Sequence, residues 1–443
     1  MIIEAFEADG FRNLAGLRLR PHPVLNLVIG VNGAGKSSLL EAIQCLATGV
    51  GFRSRRYRDH LAHGADEYVL RAELAESPGG RTHRCGVRRG RDGEFDARLD
   101  YEPVGSFADI ARVLPVKVLG PDSHLLVQGA PDERRRFLDW GCFHGGDAFL
   151  PLWRRYRRAL SQRNELLRDG APDVEVRVWD AALARDGAAL QARRAEYVLH
   201  FARHVKIRAQ SVDFPFHVKL DLRPGWPRGL SLAEALERNL DAHRRLRTTA
   251  DGPHRAELAI RAGEHAARDV LSRGQQKLLV YLLHLAQLDA LADGAGGDPA
   301  PWNAPAAPGG DGDAKTEGAG GPTGDESGEP RTGRDEAPTG PRAPAERARA
   351  GAPPGGRPVV LCDDLLSELD ERAGSSLLDA LVASGSQVFV SGTRLPAAFD
   401  ARAADGPATL AAGTSDTTLE GTETLDPQRP WAVFTLDAGR LLG

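Results

Sequence analysis

Eight residues near the amino terminus limit the possible folds more than any other part of the chain. Positions 30–37 read Gly-Val-Asn-Gly-Ala-Gly-Lys-Ser and match G-x-x-x-x-G-K-[ST] in full. The apolar run Val24–Ile29 before them predicts a short buried strand, and the apolar spacing of Ser38–Ile43 after them predicts a helix. A strand, a glycine-rich turn and a helix in this order form half of a βαβ unit, which favours an α/β fold.

This turn has the composition of a phosphate-binding loop. Glycines let the backbone wrap phosphate oxygens, and the following helix adds the positive end of its dipole. We expect Lys36 to reach the β and γ phosphates and to take part in catalysis, and Ser37 to ligate Mg²⁺ through its hydroxyl. The alternative is a loop that carries the string by chance. The predicted nucleotide-binding residues here are Gly30, Val31, Asn32, Gly33, Ala34, Gly35, Lys36, Ser37 and Ser38.

Two adjacent acids follow a second apolar run. Val359–Cys362 is typical of a central parallel strand, and Asp363 and Asp364 come directly after it. A phosphate-binding loop needs a second acid, fixed at a strand end, to hold magnesium. We expect Asp363 to bind Mg²⁺ through water and Asp364 to orient or deprotonate the attacking water. The alternative is that the two acids only cap the strand.

A third segment predicts another anion site. Residues 271–276 read Leu-Ser-Arg-Gly-Gln-Gln and open a helix whose apolar positions continue to Leu285. The start of that helix presents Ser272, Gly274 and backbone N–H groups that have no partner within the helix. The alternative is a serine that caps a helix and binds nothing.

Composition changes abruptly over residues 293–358. These 66 residues include 16 Gly and 12 Pro but no Val, Ile, Leu, Phe or Tyr. Such a segment cannot bury enough apolar surface to offset its ordering entropy, so we predict a disordered linker. The segment also carries the whole formal net charge of −4, which leaves the remainder neutral and does not exclude a nucleic-acid partner.

The remaining patterns are also α/β. Ile2–Phe6 alternates as a strand, and Tyr68–Leu74 and Thr82–Arg88 are predicted to pair in an antiparallel sheet. From Asp132 to Gln210 the apolar spacing is helical, which predicts an inserted helical lobe. Gln387–Val390 is a further candidate for a central strand.

These motifs together resemble the SMC-type branch of ABC ATPases and, within it, the RecF family. The order of phosphate-binding loop, signature helix, acid pair and a D-loop-like Ser367–Asp370 carries the wider resemblance. Segments typical of RecF proteins cover most of the chain outside the linker: Phe11–Leu14, Leu40–Ile43, Arg134–Gly141, Trp153–Tyr156, Gln162–Asn164 and Gly252–Arg255.

The resemblance implies an ABC-type P-loop ATPase head, a mixed sheet with helices, that carries an inserted helical lobe. Together with the composition of the linker, it predicts divisions at 1–118 (ATPase lobe I, N-terminal part), 119–260 (helical lobe II), 261–292 (signature motif and helix), 293–358 (disordered Gly/Pro-rich linker) and 359–443 (lobe I, C-terminal part with Walker B strand and D-loop).

RecF-like proteins bind ATP with Mg²⁺, dimerise on it, hydrolyse it slowly and bind DNA at gaps and single-strand/double-strand junctions. With RecO and RecR they promote the loading of RecA. The resemblance implies that Arg12 and Asn13 contact nucleotide and that Thr393 senses the γ phosphate. It further implies that Ser272 acts catalytically on the ATP of a second subunit and that Asp370 lines the same homodimer interface.

Three features depart from the RecF pattern. The linker enlarges a connection that is normally short, which is tolerable because loop-closure cost grows only logarithmically with length. Glu257 stands where we expect an aspartate after the Gly-Pro-His-Arg string. No Q-loop glutamine can be assigned, although Gln128 lies near the expected position.

Arginine clusters are the candidate DNA contacts. Arg53, Arg55, Arg56 and Arg58 follow the helix after the phosphate-binding loop. Such clusters bind phosphates without regard to sequence, which suits a protein that recognises a junction. The alternative is a solvated surface.

Two other function classes share parts of this pattern. An SMC-like or transporter-type ABC ATPase acting on another partner would use the same ATP motifs, and a P-loop nuclease would add an acidic domain after them. The start of the chain does not resemble a secretory signal and no apolar run reaches about 20 residues, so we expect a cytoplasmic protein without a membrane span. The four cysteines form no C-x-x-C pair, which predicts no cysteine-ligated zinc.

Overall fold

The apolar run before the glycine-rich turn and the apolar run before the acid pair form two strands of one sheet, with one further strand between them. The computed structural model describes residues 1–14, 16–295, 357–365, 371–394 and 431–442. The strands are β1 (Ile2–Asp9), β2 (Leu17–Leu19), β3 (Leu25–Ile29), β4 (Glu67–Ala75), β5 (Thr82–Gly90), β6 (Phe95–Leu99), β7 (Glu102–Pro103), β8 (Val116–Leu119), β9 (Val218–Arg223), β10 (Glu257–Ala262), β11 (His265–Ala266), β12 (Val359–Cys362), β13 (Val388–Gly392), β14 (Trp431–Asp437) and β15 (Arg440–Leu442).

Most of the described helices lie between β7 and β12, whereas the first and the last described helix lie outside that region. They are α1 (Lys36–Thr48), α2 (Phe107–Val113), α3 (Leu125–Gln128), α4 (Pro131–His144), α5 (Phe149–Asp169), α6 (Asp173–Arg177), α7 (Asp180–Ser211), α8 (Leu232–Arg238), α9 (Leu240–Leu246), α10 (Ala267–Val270), α11 (Arg273–Ala295) and α12 (Glu371–Ala383). Among the described helices, none is long and apolar enough to cross a membrane.

The central sheet has the strand order β15-β14-β3-β13-β12-β8. All neighbours from β14 to β8 run parallel, and only β15 is antiparallel to its partner. β12 is buried along its whole length, which explains its unbroken apolar sequence. The predictions of central strands at 359–362 and 387–390 are confirmed. Because the strands are parallel, their carboxyl ends meet at one edge of the sheet.

A second sheet, β2-β1-β4-β5-β6-β7, is antiparallel. β4 pairs with β5 as the sequence predicts, with Leu70 opposite Val87. The side-chain amide of Gln387 joins this sheet to the central one, since it accepts from the Ile3 amide at 2.8 Å and donates to the Ile3 carbonyl at 3.0 Å. Helix α1 is almost entirely buried and contacts β13 of one sheet and β4 of the other.

The inserted lobe packs around the 32-residue helix α7, which contacts α4, α5, α8 and α11. It is helical as predicted, but it also contains a three-stranded antiparallel sheet, β11-β10-β9. The boundary expected at residue 260 is wrong, because β10 continues through it to Ala262 with every second residue buried.

Helix α11 is shared by two hydrophobic cores. Leu279 and Leu283 belong to the core of the inserted lobe, whereas Tyr281 and Leu285 belong to the core of the central sheet. Such a helix is apolar on several faces because it is buried on several faces.

The linker predicted from 293 begins too early, because α11 continues to Ala295 and its last turn is tied to α7 through Asp293 and His204. The predicted end of the linker at residue 358 is also wrong. Pro358 is buried, and the Met1 amino group donates to the Arg357 carbonyl at 3.2 Å. Residues 296–356 of the predicted linker lie outside the described residues. All described residues belong to one compact unit.

Candidate nucleotide-binding site

The glycine-rich turn between β3 and α1 is shaped to surround an anion. Gly35 has φ +103° and is the residue before the first turn of α1, a left-handed conformation that favours glycine. Among the described residues, no side chain caps this helix start. The N–H groups of the first turn are therefore left for a ligand, and the helix dipole favours a negative one.

Lys36 is buried beside this turn. Its Nζ donates to the carbonyl oxygens of Gly30 at 2.9 Å and Val31 at 3.0 Å. Phosphate oxygens are stronger acceptors for an ammonium group than these neutral carbonyls. Val31, Asn32 and Gly33 are exposed at the top of the turn, where a ligand would meet them.

Two distant segments support the turn from outside. The Asn13 amide donates to the Gly33 carbonyl at 3.0 Å and accepts from the Ser38 hydroxyl at 2.7 Å. The Gly439 amide donates to the Ala34 carbonyl at 2.9 Å. A Cβ atom at Gly439 would lie 1.7 Å from the Asn13 carbonyl oxygen, so the β14–β15 hairpin approaches this closely only with glycine there. This hairpin was not predicted from the sequence.

Arg12, predicted to contact nucleotide, is bound to a carboxylate of α1. Its guanidinium forms an ion pair with the buried Glu41. Glu41 also accepts from the backbone amides of Arg53 at 3.0 Å and Ser54 at 3.2 Å. Glu41 thus joins the segment before β2 to the loop after α1, while a contact between Arg12 and nucleotide stays a prediction.

The two predicted magnesium ligands lie together at the carboxyl edge of the central sheet. Asp363 follows β12 and is hydrogen-bonded to the Ser37 hydroxyl. Ser391, at the end of the neighbouring β13, donates to the Asp363 carboxylate at 2.9 Å. Burial raises the pKa of Asp363, and the hydrogen bonds from the two serines oppose this effect. A hydroxyl beside a carboxylate is an oxygen donor set that fits Mg²⁺.

Asp364, the second acid of the pair, is hydrogen-bonded to the end of β13. Its backbone has φ +51°, and its amide donates to the Ser391 hydroxyl at 3.0 Å. A left-handed aspartate is a backbone feature that clusters at functional sites. Ser391 therefore contacts both acids, and it was not among the residues predicted from the sequence. A serine within a buried apolar run was the available signal.

The signature helix α11 begins with a reciprocal cap. The Ser272 amide donates to the Gln275 side chain at 2.9 Å, and the Gln275 amide donates to the Ser272 hydroxyl at 3.3 Å. Ser272 and Gly274 are both exposed. Gln128, which could not be assigned from sequence, donates to the Gln276 side chain at 2.6 Å and so connects α3 to the start of α11.

Thr393 and Asp370 were both predicted from the sequence, and the structure describes only Thr393. Thr393 is exposed directly after β13, and the carbonyl of Gly392 accepts from the Gly30 amide at 3.3 Å. Thr393 thus lies at the same sheet edge as the glycine-rich turn. Asp370 and the D-loop-like segment 367–370 lie outside the described residues.

The four arginines after α1 are all exposed. In the described part of the chain, the side chains of Arg55 and Arg56 enter no salt bridge. Arg58 lies 5.8 Å from the centre of the Tyr57 ring. Arg53 differs from the other three because its charge lowers the pKa of Asp363, which indicates proximity to the acid pair.

Residues 2–293 match the family model described as the RecF/RecN/SMC N terminal domain. The DNA replication and repair protein RecF of Thioalkalivibrio sulfidiphilus is 38% identical over 390 residues, which cover 88% of this chain and 92% of the relative. The chain belongs to the RecF family. RecF of Stenotrophomonas maltophilia is 34% identical over 406 residues, covering 90% of this chain and 94% of that protein.

Solved structures share the fold. The recombination mediator protein RecF in the RecFOR pathway, solved as RecF-ATPrS, superposes with a TM-score of 0.71 at 18% identity and covers 99% of this chain and 97% of its own. The RecF-ATP structure has the same TM-score at 19% identity and covers 100% of this chain and 97% of its own. The fold is therefore that of a RecF-type ABC ATPase head.

Residues of the RecF-like segments are hydrogen-bonded to other parts of the inserted lobe. Glu257, which departs from the expected aspartate, accepts two hydrogen bonds from Arg134, at 2.5 and 3.1 Å. Arg194 forms a similar two-bond pair with Asp139 at 2.8 and 2.9 Å. Asn164 accepts from the Thr249 amide at 2.8 Å. These contacts hold parts of the lobe together. Glu257, which stands in place of the expected aspartate, supplies the carboxylate that binds Arg134.

Asp363→Asn is expected to stabilise the ligand-free protein and to remove its response to magnesium nucleotide. Burial raises the pKa of Asp363, so ionisation of this carboxylate costs stability as the pH rises from the ordinary aspartate pKa through the raised one. A neutral side chain avoids that cost, and we expect the melting temperature at neutral pH to rise by roughly 2–4 °C.

Differential scanning fluorimetry with and without Mg·ATP measures both effects, with the exposed Asp379→Asn as a matched control. The advantage of the variant should shrink as the pH falls from the raised pKa of Asp363 towards the ordinary pKa of aspartate, and it should be absent below that. An unchanged melting temperature together with a normal response to Mg·ATP would contradict the assignment of Asp363.

Proposed function

We propose that this protein is an ATP-dependent DNA-binding protein of recombinational repair and replication, in which ATP joins two chains on gapped or junction DNA. The proposal rests on Asp363, which is hydrogen-bonded to Ser37 and Ser391 beside the glycine-rich turn. These oxygen atoms would hold magnesium next to the loop that would hold the phosphates. The relatives named as DNA replication and repair proteins, and the RecF structures of the RecFOR pathway, support the proposal.

Mg·ATP is proposed to bind with its phosphates in the turn and its magnesium at Ser37 and Asp363. The backbone N–H groups at the start of α1 and the Lys36 ammonium group would compensate the phosphate charge. Asp364 is proposed to orient or deprotonate the attacking water. The hydrogen bond from its amide to Ser391 fixes its backbone beside the magnesium ligand.

A second chain is proposed to complete the site. Ser272 and Gly274 are exposed at the start of α11, and the N–H groups of that helix start favour an anion. In the described residues, no hydrogen bond joins this helix start to the glycine-rich turn of the same chain. A two-fold dimer would place each helix start on the ATP of its partner, with Asp370 at the same interface, and slow hydrolysis would release the dimer.

DNA is proposed to bind the exposed arginines after α1. Arg55 and Arg56 offer guanidinium groups that no carboxylate of the described chain neutralises, and phosphate contacts of this kind need no sequence readout. In the cell, RecO and RecR would act with the ATP-bound dimer to promote RecA loading.

Asp364→Asn is expected to lower the ATP turnover number about 100-fold or more while ATP binding is retained, because the variant cannot accept a proton from the attacking water. Phosphate release measures turnover, and binding of a fluorescent ATP analogue measures affinity. Lys36→Arg should also lose turnover but keep part of its nucleotide binding. The exposed Asp379→Asn is the control for a general charge effect, and turnover at the unmutated rate in Asp364→Asn would contradict the proposed role.

The double variant Arg55→Gln, Arg56→Gln is expected to weaken binding to gapped duplex DNA about tenfold at moderate salt. Because each lost phosphate contact removes nearly one released counterion, the slope of log affinity against log salt should fall by about two. Fluorescence anisotropy over a salt series measures both quantities. Arg168→Gln with Arg177→Gln, two exposed arginines of the inserted lobe, is the matched control. An unchanged salt slope in the first double variant would place the DNA elsewhere.

A further inference from the structure

Helix α7 of the inserted lobe and the signature helix α11 bring together three side chains of types that ligate metals. His200 and His204 lie one turn apart on α7, and Asp293 lies in the last turn of α11. One possible ligand atom from each residue lies within 4.8 Å of those of the other two. The nucleotide site uses none of these residues.

The distance between His204 on α7 and Asp293 on α11 suits two ligands of a tetrahedral metal ion. His204 Nε2 lies 3.4 Å from an Asp293 carboxylate oxygen. A tetrahedral zinc ion with bonds of about 2.0–2.1 Å holds neighbouring ligand atoms roughly 3.3–3.4 Å apart. The His200 and His204 rings are also close, with their centres 5.0 Å apart.

The surrounding contacts hold these side chains in place. His200 Nε2 lies 3.0 Å from the Ala290 carbonyl oxygen on α11. A histidine that ligates a metal usually donates its other ring N–H to such a carbonyl or to a carboxylate. One turn further along α7, Arg208 forms two hydrogen bonds to Asp289, at 2.5 and 2.7 Å. The ligands therefore lie on helices that other contacts already connect.

We propose that His200, His204 and Asp293 bind one divalent transition-metal ion of the zinc class. Two imidazoles and one carboxylate favour zinc or cobalt over magnesium, which prefers oxygen ligands alone. Three protein ligands leave a fourth position for water. The ion would join the last turn of the signature helix α11 to α7 and so stabilise the end of the helix opposite Ser272.

Zinc binding to the full-length chain without a polyhistidine tag tests the proposal. Protein stripped with a chelator is titrated with Zn²⁺ in competition with a chromophoric chelator, without nucleotide. We expect one zinc per chain, and binding about tenfold weaker or worse in His204→Gln. His265→Gln, an exposed histidine of the same lobe, should bind as the unmutated protein does. Cobalt should give the intense visible absorption of tetrahedral coordination.

Asp293→Asn is the second variant, because it alters the exposed end of α11 and leaves the hydrophobic core intact. Zinc should raise the melting temperature of the unmutated protein but not that of either variant. The proposal is overturned if the unmutated chain binds no zinc in a one-to-one ratio. It is also overturned if His204→Gln and Asp293→Asn bind zinc as tightly as the unmutated chain.

Discussion

The parallel pairing of β3, β13 and β12 is the constraint on which the nucleotide site depends. Ile29 stands opposite Gly392, and Cys362 stands opposite Val390, so the three strands end at one edge. The glycine-rich turn, Ser391 and the acid pair follow from that alignment. A slip of one residue would turn Ser391 to the other face of the sheet and separate it from both aspartates. Burial of these strands on both faces fixes the register.

Helix α11 connects this edge to the inserted lobe. Its residues belong to the cores of both regions, and hydrogen bonds hold it near its start, its middle and its end. Gln276, near its start, is bound by Gln128. Gln287, near its middle, is bound by the buried Lys117 of β8, the strand beside β12. In the proposed dimer, these contacts give a physical route from the acid pair to Ser272, which would face the ATP of the other chain.

The elements that could be predicted are those that a short run of consecutive residues encodes. The phosphate-binding turn, the strand before Asp363 and the start of α11 are each encoded in fewer than ten consecutive residues. Ser391, Gly439 and the Gln128–Gln276 pair were not predicted, because their partners are far away in the chain and only the folded sheet brings them together. The three-stranded sheet was missed for a related reason, since its strands are short and lie among long helices. Glu257 departs from the family pattern, and the sequence alone did not explain why a glutamate is accepted there. The structure explains it, because Glu257 binds Arg134.

The most direct test of the account is the mass of the Asp364→Asn protein on a gapped duplex, measured by light scattering with Mg·ATP and then with Mg·ADP. The account predicts two chains per DNA molecule with ATP and a single chain or none with ADP. Adding Ser272→Arg should keep the ATP-bound protein monomeric, because the larger charged side chain would occupy the phosphate position at the interface. A single chain with ATP, or the same mass with both nucleotides, would contradict the claim that ATP joins two chains on DNA.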